Sequence, residues 1–280
     1  MALPLDQHPE GGDRLHTYQT LTQQMNDLAI DRTGTLLVHS SMKAIGPTEG
    51  GADTVLDVLQ NHMREGLLVL PTHTWSYVNA KQPRFSVLES ASCVGLLTER
   101  FRLRPGVFRS WHPTHSVAAA GADAEHFTAG DERFDTPCAR ESAWGRLLDR
   151  QAVIMLLGVD LTSNTFIHGI EEWLDIPDRL TPTREPLVTI APDGREISVP
   201  SRRHVGSPSE NFDKIEPLLL AHGIMRFGQF GDAVVRLCDT VGLNRLLSEV
   251  LTAYPDLFDD DRPLTQSMTE RFSPNSEAAF

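Results

Sequence analysis

Histidines follow several apolar segments of this chain, where a folded protein could use them for proton transfer or metal binding. His39 lies in TLLVHSS, His73 lies in GLLVLPTHTW, and His112 and His115 lie in WHPTHSVAAAG. Imidazole exchanges protons near neutral pH and also ligates transition metals. These residues therefore predict an acid–base centre, a metal site or a strand packed tightly against a ligand.

The segment NTFIHGIEEW at 164–173 points to proton transfer more directly. His168 and Glu171 are three residues apart, so on a helix they share one face. A carboxylate beside an imidazole holds its tautomer and raises its basicity, as a general base for amine deprotonation requires. A surface ion pair uses the same spacing, so both interpretations stay open at this point.

The segment VHSSMKAIG at 38–46 could hold an anionic group. A strand that ends in His-Ser-Ser, followed by Lys43 and Gly46, offers backbone N–H groups and two hydroxyls at a sheet edge, which suits a phosphate. A capped turn that leads into a helix is the structural alternative. In LPTHTW, Thr72 and Thr74 would point to one side and His73 to the other if the strand continues.

The elements that must position these residues alternate along the chain. Uninterrupted apolar strands followed by helical segments predict an α/β fold, with a central mixed, mostly parallel sheet and helices on both faces. Two alternating strands around Pro-Asp-Gly predict a β-hairpin insertion at about 186–200. Sheets of this kind bind ligands at the carboxyl ends of their strands, where the histidines would meet. We expect a flexible leader at 1–13, a single domain at 14–258 and a polar, loose tail at 259–280.

Composition excludes several classes of function. The 280 residues carry a net charge of −13, which argues against a nucleic-acid partner. Three widely spaced cysteines form no disulfide framework, which favours a reducing cytoplasm, and neither a signal peptide nor a membrane helix is predicted. A metal site is the weaker interpretation of the histidines, because the strand-end loops hold few carboxylates besides Glu49, Asp53 and Asp160.

Six segments, taken in order, resemble the aminoglycoside 3-N-acetyltransferase family. They are LLVHSSMKAIG, LLVLPTHTW, RSWHPTHSVAAAGADAEHFTAG, TPCARESAWGRLL, VIMLLGVDLTSNTFIHGIEE and GIMRFGQFGDAVVRLCD. The resemblance covers about residues 15–258. It implies transfer of an acetyl group from acetyl-CoA to a primary amine without a metal, and it makes a homodimer a reasonable expectation.

The resemblance also implies roles for individual residues. His168 would be the general base and Glu171 would orient it, while backbone N–H groups or the Thr72 hydroxyl would stabilise the oxyanion. The residues expected to bind acetyl-CoA are His39, Ser40, Ser41, Met42, Lys43, Gly46, Pro71, Thr72, His112, Pro113, Ser116 and Val117.

The loops expected to face the acceptor depart from what a polycationic substrate needs. WSYVNAKQPRFSV and the segment 172–186 lack a dense acidic cluster, since Lys81, Arg84, Arg179 and Arg184 lie among their carboxylates. The acceptor could therefore be an aminoglycoside-like compound or another small amine, and the acyl group need not be acetyl. The alternatives are a metal-dependent hydrolase that uses the strand-end histidines and a non-catalytic CoA-binding protein.

Overall fold

A computed structural model describes residues 15–274 of the protein. The predicted leader at 1–13 lies outside the described residues. Within residues 15–274, no helix is long and apolar enough to cross a membrane.

Within residues 15–274, ten strands form two sheets. The strands are β1 (Thr35–Ser40), β2 (Leu67–Pro71), β3 (Arg84–Ser86), β4 (Phe108–Arg109), β5 (Val117–Gly121), β6 (Val153–Leu157), β7 (Glu185–Ile190), β8 (Glu196–Ser201), β9 (Met225–Phe230) and β10 (Ala233–Asp239). The large sheet has seven strands in the order β4-β5-β2-β1-β6-β10-β9, and the small sheet has the order β3-β7-β8.

The large sheet is mixed, and its parallel part is confined to the centre. β2, β1 and β6 run parallel, whereas β4, β5, β10 and β9 pair antiparallel with their neighbours. The α/β class is confirmed, but the sheet is less parallel than the sequence predicts. The reason lies in the connections: only Gly231 and Asp232 separate β9 from β10, and so short a turn permits only an antiparallel pair.

In the part of the chain that the structure describes, ten α-helices accompany the strands. They are α1 (Tyr18–Asp27), α2 (Met42–Ile45), α3 (Ala52–His62), α4 (Leu96–Arg102), α5 (Ala124–Thr128), α6 (Ala143–Asp149), α7 (Thr165–Trp173), α8 (Glu216–Ala221), α9 (Thr240–Ala253) and α10 (Gln266–Arg271). Three short 3₁₀ helices cover Asp131–Arg133, Leu161–Ser163 and Pro208–Ile215.

The central strands are buried on both faces, as their unbroken apolar runs predict. Side chains alternate across a strand, so Leu37 joins the apolar cluster under α6, α7 and α9, whereas Leu36 and Val38 join the cluster under α1, α3 and α4. Helices thus cover both faces of the sheet, which confirms this part of the prediction.

The predicted hairpin is also present. β7 and β8 pair antiparallel from Glu185 opposite Ser201 to Ile190 opposite Glu196, and β3 adds a parallel third strand. Val78, Phe85, Val87 and Leu187 form the small apolar core under this sheet.

The segment predicted as a loose tail differs from that expectation over its described part, 259–274. α10 lies within it, and Phe272 is only 9% exposed because its ring packs against the cluster that also contains Phe258. His222 Nε2 lies 2.6 Å from the carbonyl oxygen of Phe272. Leu264 and Met268 pack against the same cluster, so several apolar side chains attach this segment to the domain.

Candidate active site

A cavity of about 560 Å³ opens at the carboxyl ends of the three parallel strands. β1 contributes its last two residues, β2 its last residue and the loop after it, and the loop after β6 leads into α7. The loop after β8 closes the opposite side. The lining residues are His39, Ser40, Pro71, His73, Trp75, Val94, Thr114, His115, Val159, Thr162, Ser163, Thr165, His168, Arg203, His204, Gly206, Ser207, Pro208 and Ser209.

His168 and Glu171 form the predicted pair on α7. Asn164 caps this helix, because its side-chain oxygen accepts a hydrogen bond from the backbone N–H of Phe166. His168 Nδ1 lies 3.0 Å from Glu171 Oε2, and Arg179 Nε donates to Glu171 Oε1 at 2.6 Å. Glu171 is fully buried, so it is not the surface ion pair that the spacing also allowed.

This arrangement leaves the second imidazole nitrogen of His168 facing the cavity. A carboxylate only accepts hydrogen bonds, so Nδ1 carries the proton and Nε2 keeps its lone pair. No hydrogen bond to Nε2 is formed by residues 15–274. Burial lowers the pKa of His168 below its ordinary 6.5, and the neighbouring His204 lowers it further, although Glu171 opposes this shift. The ring is therefore neutral at pH 7 and able to accept a proton.

His204 is a site residue that the sequence analysis missed. Its ring stacks on His168 with centroids 4.3 Å apart and planes inclined by 23°, and its Nε2 lies 2.7 Å from Glu172 Oε1. Burial lowers the pKa of His204 to about 4 and raises that of Glu172 to about 7. His204 follows β8 in SRRHVGS, where nothing local signals a site. His204 reaches α7 only because the small sheet folds back over the strand ends.

Other predicted histidines line the same cavity around a buried tryptophan. The His73 ring lies 5.5 Å from Trp144 and 4.6 Å from His115, and the His39 ring lies 6.4 Å from Trp144. Burial lowers the pKa of each of these imidazoles. Within the described residues, His39 Nε2 and His73 Nδ1 have no hydrogen-bond partner. A ligand or water in the cavity would meet these polar atoms.

The five histidines weighed as metal ligands do not converge. Among residues 15–274, the group with donor atoms within 4.8 Å of one another consists of Cys138, Glu172 and His204. Its atom Glu172 Oε1 already accepts from the Cys138 backbone N–H at 2.9 Å and contacts His204. Hydrogen bonds among these three residues therefore explain why they lie together.

Three of the residues expected to bind the cofactor line the cavity: His39, Ser40 and Pro71. Ser41 instead caps α2, because its hydroxyl accepts from the backbone N–H of Ala44. This is the capped turn that was the alternative interpretation of VHSSMKAIG. Met42, Lys43 and Gly46 of the same segment also lie outside the lining set: Met42 packs against the apolar core, Lys43 is exposed, and Gly46 has φ +85° with Asp232 in the space that a Cβ would take.

Thr72 and Ser116 lie behind the cavity wall. Both are fully buried, and the Ser116 hydroxyl donates to the Thr72 carbonyl at 2.9 Å. Arg109 Nε contacts both hydroxyl oxygens, at 3.2 Å and 3.1 Å. The structure therefore places the Thr72 hydroxyl in an internal network, and its expected role at the oxyanion stays a prediction.

His112, Pro113 and Val117 also lie outside the lining set, and their expected contacts with acetyl-CoA stay predictions. His112 Nδ1 accepts from the backbone N–H of His115 at 3.1 Å, and burial lowers its pKa to about 3. The Pro113 carbonyl accepts from the Thr74 hydroxyl, and Val117 belongs to the core. Residues 112–116 form a turn rather than a strand, and β5 starts at Val117.

The fold and the cavity together define an α/β protein with an imidazole held by a buried carboxylate at the carboxyl ends of parallel strands. The chain belongs to the aminoglycoside 3-N-acetyltransferase family, whose sequence model matches residues 37–252.

Individual relatives agree with this assignment. The chain is 29% identical to aminoglycoside N(3)-acetyltransferase VII of Streptomyces paromomycinus over 181 residues, which cover 58% of this chain and 62% of that protein. That alignment spans less than two thirds of the relative. The SPbeta prophage-derived aminoglycoside N(3')-acetyltransferase-like protein YokD of Bacillus subtilis is 26% identical over 248 residues, covering 79% of this chain and 87% of YokD.

Solved structures share the fold. The apoenzyme of aminoglycoside acetyltransferase AAC(3)-IVa matches with a TM-score of 0.75 and 24% identity, over 96% of this chain and 98% of that chain. AAC-IIIb in a binary complex with CoASH matches with a TM-score of 0.75 and 23% identity, over 85% and 97%.

Proposed function

We propose that this protein transfers an acetyl group from acetyl-CoA to a primary amine, with His168 as the general base. The observation that carries the proposal is the cavity-facing Nε2 of His168, whose Nδ1 is fixed by Glu171 and, through it, by Arg179. A base of this kind must present a free lone pair to the substrate and keep its other nitrogen protonated.

The reaction follows from this geometry. His168 Nε2 takes a proton from the acceptor nitrogen as that nitrogen attacks the thioester carbonyl. The C–N bond forms, the tetrahedral intermediate collapses, and the C–S bond breaks to release the CoA thiolate. The proton held by His168 then passes to the thiolate, so that an amide and CoA thiol are the products and His168 is neutral again.

The relatives suggest both substrates. AAC-IIIb has been solved with CoASH and AAC-VIa with sisomicin, an aminoglycoside. By analogy, acetyl-CoA would reach the cavity along His39, Ser40 and Pro71, with the α2 turn from Ser41 to Gly46 beside its phosphates. Direct transfer without an acyl-enzyme fits Cys138, because burial holds the pKa of its thiol well above the ordinary value.

The substitution His168→Ala tests the base. We expect kcat to fall about 10²- to 10⁴-fold, the usual contribution of a general base. Binding of acetyl-CoA should stay within about threefold of wild type, since this change alters no charge of the neutral site. Thiol release measures turnover, and calorimetric titration measures cofactor binding.

His126→Ala is the matched control, because His126 is exposed and outside the cavity. It should behave like wild type in both assays. Normal kcat in the His168→Ala protein would contradict the assignment of His168 as the base. Normal cofactor binding without turnover of any amine by wild type would favour the non-catalytic CoA-binding alternative.

A further inference from the structure

A second carboxylate–imidazole pair lies beside the pair of His168 and Glu171. Glu172 follows Glu171 directly on α7, and its Oε1 lies 2.7 Å from His204 Nε2, much as Glu171 Oε2 lies 3.0 Å from His168 Nδ1. Both imidazoles line the cavity, and each of the two side chains is 15% exposed. Two adjacent carboxylates of one helix therefore hold two imidazoles at the same cavity.

The contacts of Glu172 set the tautomer of His204. Glu172 Oε1 also accepts from the backbone N–H of Cys138 at 2.9 Å, so this oxygen acts as the acceptor and His204 Nε2 as the donor. A neutral imidazole then has its lone pair on Nδ1. None of residues 15–274 forms a hydrogen bond to that atom, and it is not one of their fully buried polar atoms. His204 therefore presents a proton-accepting nitrogen to the cavity, as His168 does.

The two rings are close enough to act on the same substrate nitrogen. They stack with centroids 4.3 Å apart and planes inclined by 23°. Two imidazolium ions at this distance would repel each other, so the stacked rings hold one proton at a time. A proton taken by His204 must therefore move on before His168 can take one.

The proton balance of acetyl transfer calls for a second acceptor. A primary amine is an ammonium ion at pH 7 and has no lone pair until it loses a proton. It loses another proton as its nitrogen bonds to the thioester carbon. His168 takes that later proton and returns it to the CoA thiolate, so this imidazole does not account for the first one.

Glu172 is suited to keep the first proton. Burial raises its pKa to about 7 and lowers that of His204 to about 4, so a proton received by His204 passes on to Glu172. Hydrogen bonds and the nearby Arg202 oppose the shift in Glu172, and Glu171 opposes the shift in His204, but burial outweighs them. The transfer converts an ammonium ion and a carboxylate into two neutral groups, which a buried site favours.

We propose that His204 Nδ1 takes the first proton of the acceptor's ammonium group and passes a proton through Nε2 to Glu172, before His168 acts. This inference rests on the proposed acetyl transfer and adds a catalytic residue to it. An N–H bond of the ammonium breaks, the Nδ1–H bond forms, and the Nε2 proton moves to Glu172 Oε1, so the amine nitrogen gains its lone pair. After the amide has left, the same path returns this proton to solvent. The net reaction then yields amide, CoA thiol and one proton.

A matched pair of acceptors separates the first proton from the second. Butylamine is an ammonium ion at pH 8, whereas O-propylhydroxylamine, which has an oxygen in place of one methylene, is already neutral. His204→Gln removes Nδ1 but keeps an amide N–H for Glu172. We expect kcat/KM from thiol release, corrected for the rate without enzyme, to fall at least about 10²-fold for butylamine and less than about threefold for O-propylhydroxylamine. His168→Ala should lower both values, since both acceptors lose the later proton.

His204→Phe distinguishes proton transfer from ring packing. A phenyl ring can keep the stack on His168 but cannot take a proton, so this variant should show the same selective loss as His204→Gln. His126→Gln is the control, because His126 is exposed and outside the cavity, and it should match wild type with both acceptors. Circular dichroism checks that each variant is folded.

The outcomes separate this role from acetyl transfer itself. Equal losses with both acceptors, or a normal rate with butylamine in either His204 variant, would overturn the role of His204 and leave His168 as the base. If wild type uses sisomicin but neither small acceptor, His204→Gln should lose at least about 10²-fold with sisomicin, and a smaller loss would overturn the role. Turnover of none of the three by wild type would overturn the acetyl transfer and the relay together.

Nitrogen NMR of protein labelled in its histidines tests the tautomer independently of turnover. At pH 8, the signals that His204→Gln removes should show a protonated Nε2 and an unprotonated Nδ1. A protonated Nδ1 would overturn the proposal, because this atom could not take a proton from an ammonium group.

Discussion

At the scale of the residue, Glu171 determines which nitrogen of His168 is free to act. Its two carboxylate oxygens hold two donors at once, His168 Nδ1 on Oε2 and Arg179 Nε on Oε1. Arg179 is anchored further by Asp259 at 2.7 Å. Since Arg179 can only donate, Glu171 must accept from both sides, and the tautomer of His168 follows from this constraint.

Glu171→Gln should therefore reverse the tautomer. The single amide oxygen would face Arg179, so the amide NH₂ would donate to His168 Nδ1 and leave the proton on Nε2. We expect kcat to fall roughly 10²- to 10⁴-fold, because a base with the wrong tautomer has no lone pair toward the substrate. Thiol release at pH 8 gives kcat, and calorimetry should show nearly unchanged acetyl-CoA binding.

Glu210→Gln is a suitable comparison, because this exposed carboxylate follows the cavity segment 206–209 and forms no contact with His168. It should retain wild-type kcat. A Glu171→Gln protein with kcat within about fivefold of wild type would mean that the tautomer is not controlled by Glu171.

At the scale of the element, the junction of β2 and β5 supports the cavity from behind. The buried Arg109 of β4 spans it, since its guanidinium donates to the Thr72 carbonyl at 2.7 Å and contacts the hydroxyls of Thr72 and Ser116. Burial lowers the pKa of Arg109 to about 9, so its guanidinium is still charged at pH 7 and donates to these acceptors. The network holds the end of β2, from which His73 enters the cavity.

Ser116→Ala should then affect stability more than substrate use. Removing a buried hydroxyl that contacts Arg109 and Thr72 should lower the free energy of unfolding by about 1–3 kcal/mol. KM for acetyl-CoA should change by less than about twofold, because the hydroxyl does not reach the cavity. Urea denaturation and steady-state kinetics measure the two quantities.

Ser198→Ala on the exposed face of β8 is the control and should change stability by less than about 0.5 kcal/mol. If Ser116→Ala raised KM for acetyl-CoA tenfold without a loss of stability, Ser116 would contact the cofactor after all.

At the scale of the whole molecule, the domain encloses a set of neutral imidazoles. His39, His112 and His204 have pKa values lowered to about 4, 3 and 4 by burial, and those of His73 and His115 lie well below 6.5. Below pH 6.5 the unfolded chain protonates these rings while the native protein does not. The unfolded state then binds more protons, so stability falls as the pH falls.

We therefore predict a steep loss of stability between pH 6.5 and pH 5. Each buried imidazole contributes about 1.4 kcal/mol per pH unit until its native pKa is reached. Glu172 and Asp131 act in the opposite direction, since burial raises their pKa values to about 7 and about 6. The histidines outnumber them, and the net loss should be about 5 kcal/mol at pH 5. Urea denaturation at pH 7.5, 6 and 5 measures it.

His112→Asn should flatten this pH dependence by the share of one histidine, because asparagine can still accept from the backbone N–H of His115 and does not titrate. His126→Asn, at an exposed position, should leave the dependence as it is. Equal stability at pH 7.5 and pH 5 would show that these rings are already charged in the native protein.

The local sequence by itself determined the elements and the pairing of His168 with Glu171. Apolar runs predict β1, β2 and β6, the Pro-Asp-Gly turn predicts the β7–β8 hairpin, and the spacing of His168 and Glu171 puts them on one face of α7. These features depend on the periodicity of a helix or strand, which a short stretch of sequence contains. The family was recognisable for the same reason, because its segments recur in order.

The tertiary structure alone decided which polar side chains share the cavity. His204 reaches His168 because the small sheet folds back over the strand ends. His112, Thr72 and Ser116 are buried and form hydrogen bonds with neighbouring protein groups. Arg179 joins Glu171 from a loop eight residues away. Long-range packing decides which segments cover a side chain. It therefore decides whether a histidine or a hydroxyl lines the cavity or is buried behind it.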